Sequence, residues 1–504
     1  MITSIDPRTG TPREEVAESS SAEEVDRRCE EAQEATTALE GLGRAGRAAM
    51  LRAMGSALEE RRASLVRLAD QETALGEARL NGELTRTVFQ LGFFAEVLED
   101  GAYLELVIDH AGPTPMGPRP DLRRMLRPLG PVAVFGASNF PFAFSVPGGD
   151  SASALAAGCP VVAKAHDAHP ATSVACAEAL LAGAASVGLD APVLGLVFGE
   201  AAGVALVRHE RVHAVGFTGS LKGGRALARI AAERATPIPF YGELGALNAV
   251  VVCPAAAKAR AAAIGAGLAG SFTLGVGQFC TKPGIVFVPA DPGGDALEEA
   301  LAGAVRALPS APMLSERIAG GFRTGASERR AVVGVQVLAE AEAAEAGPFA
   351  GRPLLLAASA EVLSGALLEE CFGPLLVVVR YRSDSELTAL LARLSPGLTA
   401  TVHADDADAT LARDLVARLS GRAGRVVWNG YPTGVAVAWA MHHGGPYPAT
   451  TDPLHTSVGA HAIRRWLRPV CYQDVPEAFL PPELVDVPSA AAGAPRRVDG
   501  RLEC

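Results

Sequence analysis

Pro131-Val132-Ala133-Val134-Phe135-Gly136-Ala137-Ser138-Asn139-Phe140-Pro141 decides the fold. Pro131 to Phe135 is wholly apolar and runs straight into glycine and small polar residues, the texture of a strand buried on both faces that ends in a loop. Towards the C-terminus the pattern repeats. Ser151 to Ala157 reads as a helix, Pro160 to Ala163 as a strand and Thr172 to Val187 as a helix; Val193 to Val197, Val212 to Phe217 and Pro237 to Tyr241 read as further strands, with helices from about Ala201 and Leu221 between them. Strands alternating with helices at this spacing predict a parallel sheet covered on both faces, with ligands at the carboxyl ends of its strands.

A second alternating block begins shortly after Glu243. Its strands are Ala249 to Val252, Ile285 to Val288, Leu354 to Leu356, Leu375 to Val379, Ala400 to His403 and Val426 to Trp428. Helices near Ala255 to Ser271, Leu297 to Leu308, Ser315 to Ala326 and Asp406 to Leu419 separate them, and Ala339 to Ala346 reads as an Ala/Glu helix. The first hundred residues read as helices, with Ser21 capping one whose first turn carries Glu23 and Glu24, and with helical spacing from Ala45 to about Ala74. Pro113, Pro115, Pro118 and Pro120 enforce an extended arm, Ile463 to Tyr472 reads as a strand, and Ser489 to Arg497 as a poorly ordered tail.

At 504 residues the chain needs two or three domains. Its formal net charge of -11 and the lack of a basic, aromatic-interleaved run exclude nucleic acid and anionic membrane surfaces as natural partners. No uninterrupted apolar run is long enough to span a bilayer and the N-terminus has no signal-peptide pattern, so a cytoplasmic protein is expected. Eight cysteines lie far apart with no CxxC pair, which fits a reducing compartment and argues against zinc. Only Lys164, Lys222, Lys258 and Lys282 break an otherwise all-arginine basic set, so each is expected where a compact ammonium is needed.

No G-x-G-x-x-G follows a strand and no P-loop occurs, so a nucleotide must be held by other strand ends: Gly136 to Pro141, Lys164 to Asp167, and Phe217-Thr218-Gly219-Ser220 ahead of a helix. Gly277-Gln278-Phe279-Cys280-Thr281-Lys282 sets a cysteine in a turn, which by itself describes an inert small residue as well as a nucleophile. Glu243, in an apolar setting between glycines, could be a base whose pKa burial raises, or a cap or salt-bridge partner. The pairs His166/His169 and His442/His443 are weak metal candidates without supporting carboxylates or cysteines, so no metal is expected. Asp405, Asp406 and Asp408 favour a helix start.

In order, Asn139-Phe140-Pro141, Lys164, Phe217 to Ser220, Glu243-Leu244-Gly245, Gly277 to Thr281 and Glu370-Cys371-Phe372-Gly373-Pro374 resemble the aldehyde dehydrogenase superfamily over nearly the whole chain. Longer stretches, among them Pro237 to Glu243, Asn429 to Gly434, Gly444 to Asp452 and Arg464 to Gln473, look like the branch of the α-ketoglutaric semialdehyde and long-chain aldehyde dehydrogenases. The resemblance implies an α/β fold of two doubly wound parallel-sheet domains plus a small β oligomerisation element. Residues 1-112 and 131-245 would bind cofactor, 246-450 would carry catalysis, 113-130 and 451-480 would pair subunits into a homodimer or homotetramer, and 481-504 would be a tail.

It also implies roles. Cys280 would attack an aldehyde, Asn139 with the Cys280 backbone N–H would hold the oxyanion, and Glu243 would activate the water that hydrolyses the thioester. Lys164, Asp167, Gly199, Glu200, Ser220, Glu370 and Phe372 would hold the cofactor, with Phe140, Phe144, Phe279 and Gly92 lining the substrate tunnel. NADP-using relatives resemble one another in a small or hydroxyl residue at the position of Asp167 and an arginine near that of Glu200. Two carboxylates there repel a 2′-phosphate and favour NAD over NADP.

Gly92 stands where the ketoglutaric enzymes are expected to carry an arginine, so an aliphatic or aromatic aldehyde competes with α-ketoglutaric semialdehyde as substrate. A CoA-acylating enzyme is disfavoured by Glu243, and a catalytically silent binding protein by the joint presence of Cys280, Asn139 and Glu243.

Overall fold

The structure, a computed structural model, describes residues 1–342, 346–486 and 493–503. Its first sheet has five strands in the order Phe240–Glu243, Ala214–Thr218, Val132–Phe135, Val161–Lys164, Leu194–Val197, all parallel. The unbroken apolar run of Val132–Phe135 now has its reason. Val132 and Val134 enter the core made by the helices Gly43–Glu60, Glu77–Asp100, Gly149–Ala157 and Pro170–Ser186, while Ala133 and Phe135 enter a separate core under Ala22–Gly41, Glu200–Arg208 and Leu221–Ala232. Both faces are dry, so the strand needs no alternation.

The second sheet has seven strands, in the order Gln336–Glu340, Leu354–Ala358, Leu375–Tyr381, Pro283–Pro289, Asn248–Val252, Gly397–His403, Ala423–Trp428. Only the first is antiparallel. Asn248–Val252 divides its side chains as the first sheet does: Val250 and Val252 face Pro254–Thr273 and Pro292–Arg306, and Ala249 and Val251 face the opposite core. The helical stretch 254–277 is long and apolar enough to cross a membrane by length and composition alone, but here Ile264, Leu268 and Phe272 are buried against this sheet.

Four expectations are corrected. Residues Ile2–Asp6 and Thr11–Ala17 form an antiparallel hairpin ahead of the first helix, its turn closed by Asp6, whose carboxylate accepts from the Arg8 N–H at 2.9 Å, and by Gly10 at φ +71°. The helical spacing from Ala45 to Ala74 is broken at Arg61 into Gly43–Glu60 and Arg62–Thr73. Ala339 and Glu340 end an edge strand rather than start a helix, because Leu338 and Ala339 pack on the apolar core; 343–345 lie outside the described residues. The expected strand over Ile463 to Tyr472 begins only at Leu467, after a turn that seats the Trp466 indole on Ser153 Oγ at 2.8 Å.

A third sheet, Leu467–Gln473, Leu122–Pro128, Leu106–Asp109, Arg496–Val498, Arg501–Glu503, stands apart from the other two. The proline-rich arm beside it folds back as a small hairpin, Gly112–Thr114 against Gly117–Arg119. By pairing, Leu106–Asp109 and the chain end belong to this sheet, which is therefore wider than the expected arm of 113-130 and 451-480. The tail over Ser489 to Arg497 lies partly outside the described residues, but its end at Arg496–Val498 is strand.

Candidate active site

Cys280 sits in the turn between the helix Pro254–Thr273 and the strand Pro283–Pro289. Three successive residues ahead of it, Gly275 (φ +56°), Val276 (+58°) and Gly277 (+67°), are left-handed. Gly277 must be glycine twice over, since a Cβ there would meet the Gly373 carbonyl carbon at 2.3 Å. Val276 carries strain of about 1–2 kcal/mol in that region, and its neighbours hold it there. Gln278 Oε1 accepts from Leu314 N–H at 3.1 Å and its Nε2 donates to Gly275 O at 3.0 Å. Asn248 Nδ2 donates to the carbonyls of Cys280 (2.8 Å) and Lys282 (3.0 Å), and its Oδ1 accepts from Thr399 N–H at 3.0 Å. Lys282 is buried and spends its ammonium on Leu375 O at 2.9 Å, a reach for which arginine is too broad.

Facing the thiol are two side chains brought from far along the chain. Cys280 Sγ lies 3.6 Å from His443 Nε2, which is 2.9 Å from Glu243 Oε1. Ser457 Oγ donates to the other oxygen, Glu243 Oε2, at 2.7 Å. Burial pushes the Glu243 carboxyl up, but the His443 charge and the hydrogen bonds from His443, Ser457 and Cys280 outweigh it, so its pKa is lowered. The Cys280 thiol is pushed well above its ordinary range by burial, then by the charge of Glu243 and its hydrogen bond to that carboxylate, and by Glu370; Arg425 opposes. A protonated thiol beside an ionised base is what this arrangement holds at rest.

Asn139 follows the first strand of the fold and its Nδ2 donates to Gln278 O at 2.8 Å, which ties it to the cysteine turn. Among the described residues nothing accepts from the Cys280 backbone N–H. Phe140, Phe144 and Phe279 cluster there as expected: the Phe140 ring meets Phe144 at 5.2 Å and Phe279 at 5.1 Å, both edge to face. Gly92 does not join them. A Cβ added to it would meet nothing within 4 Å, and it lies nine residues, about half a turn of phase, from Glu83, whose side of the helix Glu77–Asp100 faces the site. From that side come two arginines the sequence did not single out: Arg79 over the rings of Phe140 (5.1 Å) and Phe279 (4.8 Å), and Arg86 over Phe144 (4.9 Å).

The cofactor candidates line the carboxyl ends of the first sheet. Lys164 ends one strand and its Nζ lies 2.7 Å from the exposed Asp167 carboxylate. Gly199, at φ +90°, precedes the helix that begins at the exposed Glu200. Ser220 caps the helix Leu221–Ala232 by accepting from Gly223 N–H at 3.2 Å, and Gly219 N–H donates to Glu243 O at 3.0 Å, which joins this edge to the base. Glu370 arrives from the second sheet; its carboxylate accepts from Ala246 N–H and lies so close to Gly245 that a Cβ there would sit 2.1 Å from Oε2. Burial pushes Glu370 up to about 7 against the pull of Lys282 and that N–H. Phe372 follows, half-buried. A cleft with an ammonium and a titrating carboxylate for ribose hydroxyls and a helix N-terminus for pyrophosphate fits NAD(P).

His166 and His169 stack at 5.5 Å, with His169 Nε2 on Ala137 O and His166 Nδ1 on Ala168 N–H, so they brace the Lys164 loop. Asp405 and Asp408 form a capping box, and Asp408 also receives the N–H groups of Ala255 and Ala256. Of the second histidine pair, His443 enters the site, its Nε2 within 4.8 Å of the Cys280 and Glu243 donor atoms. The supporting carboxylate and cysteine that this pair lacks in the local sequence, Glu243 and Cys280, are brought to it by the fold.

The sequence matches the aldehyde dehydrogenase family over residues 1–447. It is 46% identical over 508 aligned positions to α-ketoglutaric semialdehyde dehydrogenase 2 of Azospirillum brasilense, covering 100% of this chain and 96% of that one, and 41% identical over 468 to the α-ketoglutaric semialdehyde dehydrogenase of Acinetobacter baylyi, covering 92% and 89%. In fold it superposes on methylmalonate-semialdehyde dehydrogenase from Oceanimonas doudoroffii with a TM-score of 0.81 at 22% identity over 94% of this chain and 95% of that one. A 3,6-anhydro-L-galactose dehydrogenase in complex with NAP gives 0.80 at 21% identity over 93% and 95%. With the thiol, amide and carboxylate of that chemistry gathered at one turn, the chain belongs to the aldehyde dehydrogenase family, enzymes that oxidise aldehydes with NAD(P).

Proposed function

We propose that Cys280, Asn139, Glu243 and His443 carry the oxidation, and that the physiological aldehyde is α-ketoglutaric semialdehyde or a close analogue. The observation that supports the roles is the convergence of Cys280 Sγ, His443 Nε2 and Glu243 Oε1 within 4.8 Å of one another. The thiol passes its proton to Glu243, which His443 and Ser457 hold in place and which releases it to solvent, as sulfur bonds to the aldehyde carbon. The oxyanion so formed meets two donors, the Asn139 amide and the Cys280 backbone N–H. Bound NAD(P)⁺ supplies the hydride acceptor. Hydride loss leaves a thioester on Cys280, and Glu243, ionised again, takes a proton from the water that attacks it and returns it to the departing sulfur, releasing the acid and restoring the thiol.

Lys164, Ser220, Gly199, Glu370 and Phe372 would hold the cofactor. Asp167 and Glu200 place two carboxylates at the adenosine end and support NAD over NADP. The substrate follows the names of the relatives at 46% and 41% identity, while the rings of Phe140, Phe144 and Phe279 support the aliphatic or aromatic alternative. Residues 1-112 and 131-245 would serve the cofactor and 246-450 the chemistry, in a cytoplasmic homodimer or homotetramer joined through the third sheet; a monomer mass by light scattering would reject that assembly.

Replacing the nucleophile is the direct check. Cys280→Ala should lose at least 10³-fold in kcat, and intact-protein mass spectrometry of wild type quenched in turnover should show one acyl adduct. A Cys280→Ala enzyme that still oxidised aldehydes at the wild-type rate would refute the roles, and a strict requirement for CoA would refute hydrolysis.

A further inference from the structure

The helix Glu77–Asp100 turns one stripe, Arg79, Glu83, Arg86 and Gln90, towards the site at spacings of four, three and four. Two members are held there by hydrogen bonds, though Arg79 Nη1 and Glu83 Oε2, like Gln90 Nε2, are shielded without a partner among the described residues. Glu83 Oε1 accepts the backbone N–H groups of Phe142 (2.8 Å) and Ala143 (2.9 Å), and Arg79 Nη2 donates to Asn139 O at 2.7 Å. Arg86 Nε reaches Val435 O at 3.4 Å and the guanidinium plane lies over Phe144, yet Nη1 and Nη2 are both shielded from solvent without a hydrogen-bond partner among the described residues.

A buried guanidinium serving only structure is ordinarily paired, because an uncompensated buried charge is costly. The ring beneath Arg86 answers its face but leaves the four N–H bonds of the Nη edge unanswered. The local carboxylates are held elsewhere: Glu83 through Oε1 by two amides, its Oε2 left without a partner, and Glu243 by His443 and Ser457. Neither lies within ion-pair distance of Arg86 among the described residues, though the charges of Glu83, Cys280 and Glu243 all act on it. The Nη edge fits an anion that presents two oxygens as a fork. A carboxylate matches that edge bidentately.

We infer that Arg86 is the residue that binds the carboxylate at the far end of the substrate, so that the enzyme selects aldehydes bearing a carboxylate a few carbons from the reacting group. This rests on Cys280 being the nucleophile. It also supplies, from a position six residues earlier and on another face of the same helix, the arginine absent at Gly92. The three phenylalanines then enclose the methylene chain between two polar ends, and the apolar lining no longer argues for an apolar aldehyde.

The test compares 5-oxopentanoate with pentanal, which has the same carbon count and no carboxylate. Wild type should favour 5-oxopentanoate in kcat/KM, and Arg86→Met should lower the ratio of the two values by roughly tenfold to a hundredfold, mainly through KM for 5-oxopentanoate. Arg86→Lys should fall between, because an ammonium cannot make the fork. A ratio near one in wild type, or one unchanged in Arg86→Met, overturns the assignment. Should the variant be too slow to assay, glutarate supplies a readout without turnover: it should protect Cys280 from iodoacetamide in wild type and not in Arg86→Met, and equal protection in both overturns the assignment. A wild type that oxidises neither aldehyde would fail the reading of Cys280 instead, a distinct outcome.

Discussion

Cys280 is held as a thiol, not a thiolate, by burial and by the same carboxylate that is proposed to serve it as a base. The cost of that arrangement is slow idle reactivity, and its benefit is that the nucleophile appears only when a proton acceptor is aligned. Alkylation of wild type by iodoacetamide should therefore climb with pH across the whole range from 6 to about 9 without a plateau. In His443→Ala it should be slower throughout and kcat lower by roughly 10²–10⁴-fold; an early plateau would show a thiolate already present. Glu370 gives a second pH signature. Its carboxyl, pushed up to about 7, is protonated below that pH and ionised above it, so its capacity to accept from ribose hydroxyls is gained as pH rises through 7. NAD affinity measured by fluorescence should improve up to about tenfold from pH 6 to 8, with Glu370→Gln flat across the range.

The helix Glu77–Asp100 acts as the frame of the oxyanion side, through Arg79 on the Asn139 carbonyl and Glu83 on the turn at Phe142 and Ala143. Glu83→Ala strips two buried N–H groups of their acceptor and should cost about 2–4 kcal/mol of stability and lower kcat more than it raises KM. Glu83→Gln, which keeps an acceptor oxygen, should stay within about 1 kcal/mol; equal losses in both would place the effect elsewhere. Elements of this kind divide what sequence reveals. Val132–Phe135 and Asn248–Val252 were legible because strands buried on both faces must be continuously apolar; Cys280, Asn139 and Glu243 were open readings on their own and stood out only through the collinear motifs that resemble the family. The hairpin Thr11–Ala17 and the strand Arg496–Val498 were not, since their order comes from pairing with Ile2–Asp6 and Leu106–Asp109. Ser457 was invisible, and His443 entered only as a weak metal candidate, for a related reason: they meet Glu243 across separations of 200 and 214 residues, from a loop with no periodicity. Arg86 was hidden by a helical stripe that reads as an ordinary charged face until its orphaned Nη edge is seen.

At the scale of the molecule, the proposed cofactor site joins the two large sheets, since Lys164 ends a strand of the first, Ser220 follows another, and Glu370 precedes a strand of the second. A ligand that bridges both stabilises only the state in which both are folded, by about 2.7 kcal/mol at a hundredfold excess over its Kd. The molecule meets that ligand with a net charge of -11 and, at the adenosine end, with Asp167 and Glu200 exposed. Part of the Asp167 charge is spent on Lys164 at 2.7 Å, so the repulsion of a 2′-phosphate is screened but not cancelled. Thermal unfolding at equal cofactor concentrations should thus show a larger rise in Tm with NAD than with NADP, and kcat/KM should rank the two alike. Raising the salt should narrow the gap, because an exposed like-charge repulsion is screened within about 10 Å at 0.1 M, whereas a gap set by shape would not move. Asp167→Ser should narrow it further by relieving the repulsion and freeing Lys164 for the added phosphate. An equal or larger shift with NADP in wild type would mean that Lys164, and not Asp167, governs the adenosine end.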